Sequence, residues 1–117
     1  MGNIENLKVW NESIDLAKNI YLFVENTPRL KQNFWLRDQL QRSVVSIWSN
    51  IAEWWNRWSS KDFTKFLYIA RWSCSELKTQ LIIIKEIWYI DEVIFRKLIE
   101  QIEYVHKMIN WLIKSLN

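Results

Sequence analysis

His106 is the only histidine of this chain and Cys74 its only cysteine, so acid–base or nucleophilic chemistry would rest on these two groups or on carboxylates. A lone histidine on a charged helix is expected to be solvated, and a lone cysteine on an apolar stripe to be a small buried hydrophobe. Glu100 and Glu103 fit solvent-facing charges better than an acid–base pair. No second histidine or cysteine supplies metal-ligand spacing, and nothing places Ser, His and Asp together as a triad. With one glycine in the whole sequence there is no phosphate-cradling loop of the G-x-x-x-x-G-K kind. The expectation is a protein without catalytic residues, metal or cofactor.

Two polar groupings remain. Ser46, Asn50 and Glu53 recur at i, i+4 and i+7 and share one helix face. A polar stripe beside an apolar one is exposed, paired or at an interface. It reads either as a hydrogen-bonded network that sets helix register, with Arg71 as a partner, or as a ligand or subunit contact. The second grouping, Arg57, Lys61, Lys65 and Arg71, has only Asp62 against it, and Arg37 and Arg42 precede it on the helix before. Cations on one face attract phosphates and release counterions, and Tyr68 or Trp55 could stack on bases. The plain alternative is a solvated helix face.

The elements that would carry these groups are helices. Apolar residues recur at steps of three and four in four stretches, about 6–25, 36–54, 61–87 and 91–116. The expected core faces are Leu7, Trp10, Ile14, Ala17, Tyr21 and Val24 on the first, and Leu36, Leu40, Val44, Ile47 and Ile51 on the second. The third offers Phe63, Phe66, Ala70, Cys74, Leu77, Leu81 and Ile84. The fourth offers Val93, Phe95, Leu98, Ile102, Val105, Met108 and Leu112, with Ile109 and Leu116 beside them. Asn26-Thr27-Pro28 should end the first helix, because proline has no amide proton and restricts the residue before it. Ser59 or Ser60, with Asp62, should cap the third helix, and Asp91 the fourth. No stretch alternates with period two. Short connectors imply an all-α, up-down-up-down antiparallel four-helix bundle forming one domain over 1–117.

Half the residues are apolar and a quarter charged, as in an ordinary globular protein. The net charge of +3 permits an anionic partner without demanding one. A single cysteine allows no internal disulfide, and the first residues resemble no signal peptide, so a cytoplasmic protein is expected. No apolar run approaches the roughly 20 residues of a membrane span.

Several stretches resemble the 23S rRNA intervening-sequence protein family: Leu7-Lys8-Val9-Trp10, Leu40 through Ile47, Ser49-Asn50-Ile51-Ala52-Glu53, Phe66 through Arg71, and Glu76 through Leu81. They come in order and cover almost the whole chain. The resemblance implies a small bacterial four-helix bundle that assembles into a homopentamer. Some members are encoded within rRNA genes. A related group serves as accessory protein of diversity-generating retroelements, binding nucleic acid and a reverse transcriptase. It therefore implies RNA or DNA and a reverse transcriptase as partners, with Arg37, Arg42, Arg57, Lys61, Lys65 and Arg71 as phosphate contacts.

One departure from that pattern is informative. The chain holds nine tryptophans and one glycine, where ordinary usage predicts about eight glycines. By the resemblance, glycine belongs at Trp35, Trp54, Trp58, Trp72, Trp88 and Trp111, and proline or a small residue at Trp48, whereas Trp10 and Trp55 fall where an aromatic belongs. The expectation is that the source reads UGA as glycine and that these seven residues are UGA translated as tryptophan. Trp35, Trp54, Trp58 and Trp88 should sit at helix ends, where a glycine cap is displaced at a steric cost. Trp72 and Trp111, inside helices, should either face solvent or splay the bundle.

Overall fold

The computed structural model describes residues 2–57, 63–87 and 90–116. Within them every regular element is helical. A 3-10 turn, Ile4–Asn6, leads into α1 (Lys8–Glu25), and then come α2 (Pro28–Gln32), α3 (Phe34–Asn56), α4 (Thr64–Ile87) and α5 (Glu92–Leu116). Four long helices form a bundle 45 Å long and about 22 Å across. The most extensive packing is α3 on α4, followed by α4 on α5 and α1 on α3, with α1 on α5 closing the circuit.

Local chemistry explains the breaks. Pro28 ends α1 as expected, but it also opens α2, a short helix the periodicity did not reveal. Proline at a first helical position loses no hydrogen bond, because that amide has no intrahelical acceptor. Leu30 of α2 is fully buried and plugs the gap between α1 and α3. Asn33 then starts α3 two residues earlier than expected, its side-chain oxygen accepting from the Leu36 amide at 3.1 Å. Asp91 caps α5 as anticipated, accepting from the amides of Val93 at 2.8 Å and Ile94 at 3.3 Å. The cap expected from Ser59, Ser60 and Asp62 lies outside the described residues.

The core is aliphatic. Leu40, Val44, Ile47 and Ile51 of α3 and Leu67, Leu77, Leu81 and Ile84 of α4 are fully buried, joined by Leu16 and Ile20 of α1 and Ile102 and Ile109 of α5. The α3 face is the one expected, with Leu36 partly buried at its edge. The α1 face keeps Ala17 and Val24, which are buried as expected, but otherwise turns toward the preceding residues: Val9, Ser13, Leu16, Ile20 and Phe23 point inward, while Tyr21 is 45% exposed and Trp10 and Ile14 lie at the margin. One residue is 100° of helix turn. The rotation buries two large aliphatics, Leu16 and Ile20, and leaves the tyrosine hydroxyl in water. On α4, Leu67 goes inside and Phe63 and Phe66 only flank the core. On α5, Ile113 joins the core, Phe95, Met108 and Leu112 are partly buried, and Val93 and Leu116 are exposed.

The tryptophans divide. Trp72 and Trp111 are 70% and 67% exposed, so they face solvent and do not splay the bundle. Trp35 is also exposed, Trp48 packs against the core from the side, and Trp54 is buried between Trp55 and Phe63. The expected steric cost at Trp35 and Trp54 is absent. They lie in the first and last turns of α3, and no non-glycine residue described has a positive φ. Trp58 and Trp88 lie outside the described residues. Trp54 has a different irregularity, a buried indole N–H with no acceptor, as does Trp10. Such an orphan donor typically costs about 1–3 kcal/mol. The gene is expected to carry UGA at the seven positions and UGG at Trp10 and Trp55. Protein purified from its source should then weigh less than the printed chain by seven Trp-to-Gly replacements. UGG codons throughout, or a native mass matching nine tryptophans, would refute the recoding.

Candidate nucleic-acid interface

The polar triplet is split by the structure. Asn50 donates to the Ser46 carbonyl at 2.7 Å and to the Ser46 hydroxyl at 3.2 Å. The Ser46 and Ser73 hydroxyls are 2.7 Å apart across the α3–α4 seam, and the Ser73 hydroxyl also lies 3.0 Å from the Ile69 carbonyl. This is an inter-helix network, with Ser73 rather than Arg71 as the partner. Glu53 is not part of it. It is exposed and pairs with Arg57 at 3.1 Å.

The six cations are likewise dispersed. Arg37 donates to the Lys31 carbonyl at 2.9 Å and lies over the Phe34 ring. Arg42 pairs with Asp38 at 3.1 Å. Arg57 and Lys65 converge on the Phe66 ring, each 5.4 Å from its centre. Arg37 and Arg57 are twenty residues apart on α3, which is about 30 Å of helix, so one patch cannot hold both. Lys61 lies outside the described residues. Arg71 leaves α4 in another direction, lying over the Tyr68 ring at 4.9 Å and donating to Asn110 of α5 at 3.1 Å.

Around Arg71 the structure assembles a site that sequence reasoning found only in part. A groove of about 420 Å³ between α4 and α5 is lined by Arg71, Lys107, Asn110, Trp111, Ile113 and Lys114, with no carboxylate in its wall. Lys107, Asn110 and Lys114 follow i, i+3 and i+7, so α5 projects them on one face. Sequence reasoning missed Lys107 and Lys114, whose i, i+7 spacing is the one signal that could have found them. Nothing in the sequence said that their face lies beside Arg71. The groove keeps its three cations whichever residue occupies position 111.

His106, one turn before Asn110, is half-buried rather than solvated. Burial holds its pKa below the ordinary 6.5, and the positive charges of Arg71 and Lys78 push it further down, against a smaller opposing pull from Glu103. Glu103 is exposed and bound to Lys78 at 2.9 Å. Cys74 is fully buried, and desolvation lifts its thiol pKa to about 12, which makes it a core side chain and not a nucleophile. Among the described residues no three His, Cys, Asp or Glu side chains converge as a metal site, and no helix is long and apolar enough to cross a membrane.

No curated protein matches the chain. Among solved structures, it is similar to a protein of unknown function from the S23 ribosomal protein family of Bacteroides thetaiotaomicron. The two share 24% identity over 91% of this chain and 98% of the other, with a TM-score of 0.82, so the helical fold is common to both. The sequence profile described as 23S rRNA-intervening sequence protein matches residues 5–111, nearly the full length, and the chain therefore belongs to that family.

Proposed function

We propose that this protein is a non-enzymatic, nucleic-acid-binding accessory scaffold, and that the groove between α4 and α5 is where a phosphate backbone lies. The observation carrying the proposal is the carboxylate-free wall supplied by Arg71, Lys107 and Lys114. Such a wall holds phosphates by charge and supplies little sequence readout. Arg57 and Lys65, gathered over Phe66, form a second, separate cationic patch. The Arg57–Glu53 and Arg42–Asp38 pairs are exposed, and exposed pairs contribute about 0–1 kcal/mol, so a phosphate can replace the carboxylate at little cost.

The bundle order is up-down-up-down. Three contacts between α4 and α5 support it: Lys85 with Glu92, Lys78 with Glu103 and Arg71 with Asn110 move back along α4 as they move forward along α5. Asn19 with Gln101 and Lys8 over Tyr104 tie α1 to α5.

His106 supplies the test. Its pKa in the free protein lies below 6.5, first because of burial and further because Arg71 and Lys78 place positive charge beside it. A bound phosphate backbone cancels that charge and raises the pKa, so binding takes up a proton and tightens as pH falls through the interval between the two values. The single imidazole resonance, titrated with and without a single-stranded oligonucleotide at low salt, should move to higher pKa and return as salt is added. No shift, or one insensitive to salt, would count against the groove.

A second reading has its own observation. Tyr68, Ile69, Ile82, Ile83 and Ile87 of α4 are all large and exposed, and exposed apolar surface gathered on one helix marks an interaction site. The protein is then a homo-oligomer, five-membered by the family resemblance, with a reverse transcriptase as a further partner. Assembly mass and nucleic-acid co-purification separate the two readings, which are also compatible.

A further inference from the structure

We propose that the apolar groove between α1 and α5 binds a long-chain carboxylate, its head group held by Lys8 and Lys107 and its alkyl chain lying along Met108 and Leu112. The site is on the α1 side of α5, shares only Lys107 and position 111 with the phosphate groove, and does not rest on the nucleic-acid reading. It measures about 450 Å³ and is walled by Leu7, Val9, Tyr104, Met108 and Leu112, with Lys8 and Lys107 as its charged lining residues and no carboxylate. Small-molecule sites have this character, apolar walls around about 300–1,000 Å³ with a few convergent polar groups. Among the described residues neither ammonium has a carboxylate partner, whereas Lys31, Lys78 and Lys85 each have one.

The groove has two unlike ends. Lys8 lies over the Tyr104 ring, 5.7 Å from its centre, and Lys107 follows Tyr104 by one helical turn, so both charges gather at one end. Met108 and Leu112 continue the Tyr104 face at i+4 and i+8, away from that charge. From Tyr104 to Leu112 is about 12 Å of helix, a run for an alkyl chain to cover. Charge and apolar surface together choose the occupant. A phosphate backbone would meet the lysines and gain nothing from the hydrocarbon walls. A neutral apolar molecule would fill the walls and leave two ammonium groups without a counter-charge. A carboxylate on an alkyl chain answers both ends at once, with charge-assisted hydrogen bonds at the head. Glycine at position 111 would widen the groove and leave the five apolar walls in place.

The test is a calorimetric titration of the full chain with dodecanoate, below the concentration at which it self-associates, beside dodecyltrimethylammonium, which has the same tail and the opposite charge. Dodecanoate should bind saturably and at least about tenfold more tightly than the cation. Shorter carboxylates should weaken by up to about fourfold for each methylene removed. Lys8 and Lys107 are exposed, so a protein carrying both Lys8→Glu and Lys107→Glu should keep the wild-type helical circular dichroism and now prefer the cation. Trp111→Gly should retain the preference for dodecanoate. Equal affinity for the two ions, or a charge-reversed protein with the wild-type preference, overturns the proposal. So does loss of all binding in Trp111→Gly, which would make the site a product of the tryptophan. A groove silent to dodecanoate, as it would be if a second copy covered it, overturns the proposal too, as does a protein that sediments with phosphatidylcholine vesicles but takes up no free dodecanoate.

Discussion

Replacing Arg71, Lys107 and Lys114 together by glutamine is expected to abolish most nucleic-acid affinity at physiological salt and to flatten its salt dependence. Each phosphate neutralised by a protein cation adds about 0.7–0.9 to the slope of log K against log salt. Removing three such contacts should lower the slope by about two to three. Between 50 and 200 mM salt the loss in affinity should be on the order of tenfold or more. Lys107 and Lys114 are exposed, and among the described residues Arg71 bonds only to Asn110 and covers Tyr68, so the variant should fold. Oligonucleotide titrations at several salt concentrations would measure the slope. A slope matching the wild type would mean that the phosphates lie elsewhere, and the cations over Phe66 would be the next to test. Substituting Arg42 alone should change little, since it stands on α3 and outside the α4–α5 groove.

The largest stability loss is expected from truncating the α4 core. Leu81 is fully buried and on the face where α4 meets its neighbours. Changing it to alanine removes the transfer energy of three carbons and leaves a cavity that the surrounding aliphatics fill only in part. Such substitutions cost about 2–5 kcal/mol. A domain of this size typically has about 5–15 kcal/mol in total, so Leu81→Ala should lower the thermal midpoint by many degrees. The same change at Ile83, on the outer side of the helix, should alter monomer stability by well under 1 kcal/mol. Equal losses at the two positions would contradict the assignment of inner and outer faces.

The contrast between those two isoleucine- and leucine-bearing positions marks how far the sequence could be read. Stripes with charged or polar residues opposite them were unambiguous: α3 has Arg42, Glu53 and Asn56 facing out, and its core face of Leu40, Val44, Ile47 and Ile51 followed directly. Where a helix is apolar on more than one side, periodicity cannot choose. That is why α1 kept Ala17 and Val24 inside but buried Leu16 and Ile20 in place of Tyr21. It is also why the outer isoleucines of α4 drew no attention until their exposure was visible. Helix α2 is five residues long, too short to display a period, and its proline was read only as a stop. The candidate site failed to emerge for a different reason. Its cations come from two helices, and the spacing of Lys107 and Lys114 carries no information about which residues of α4 lie alongside. Arg71 was found because it follows a local basic run. Its two companions required the packing.

The hydroxyl pair of Ser46 and Ser73 has a further consequence for how the two longest-contacting helices find their alignment. Aliphatic side chains tolerate many axial offsets, since one methyl group is nearly as good a neighbour as another. Two hydroxyls that satisfy each other do not. Sliding α4 along α3 by a single turn, about 5.4 Å, would part the two hydroxyls and leave each only its own-helix partner, Asn50 for Ser46 and the Ile69 carbonyl for Ser73, so the pair acts as a detent that favours one setting of the rods. A Ser73→Ala chain would still collapse, but into a seam free to drift.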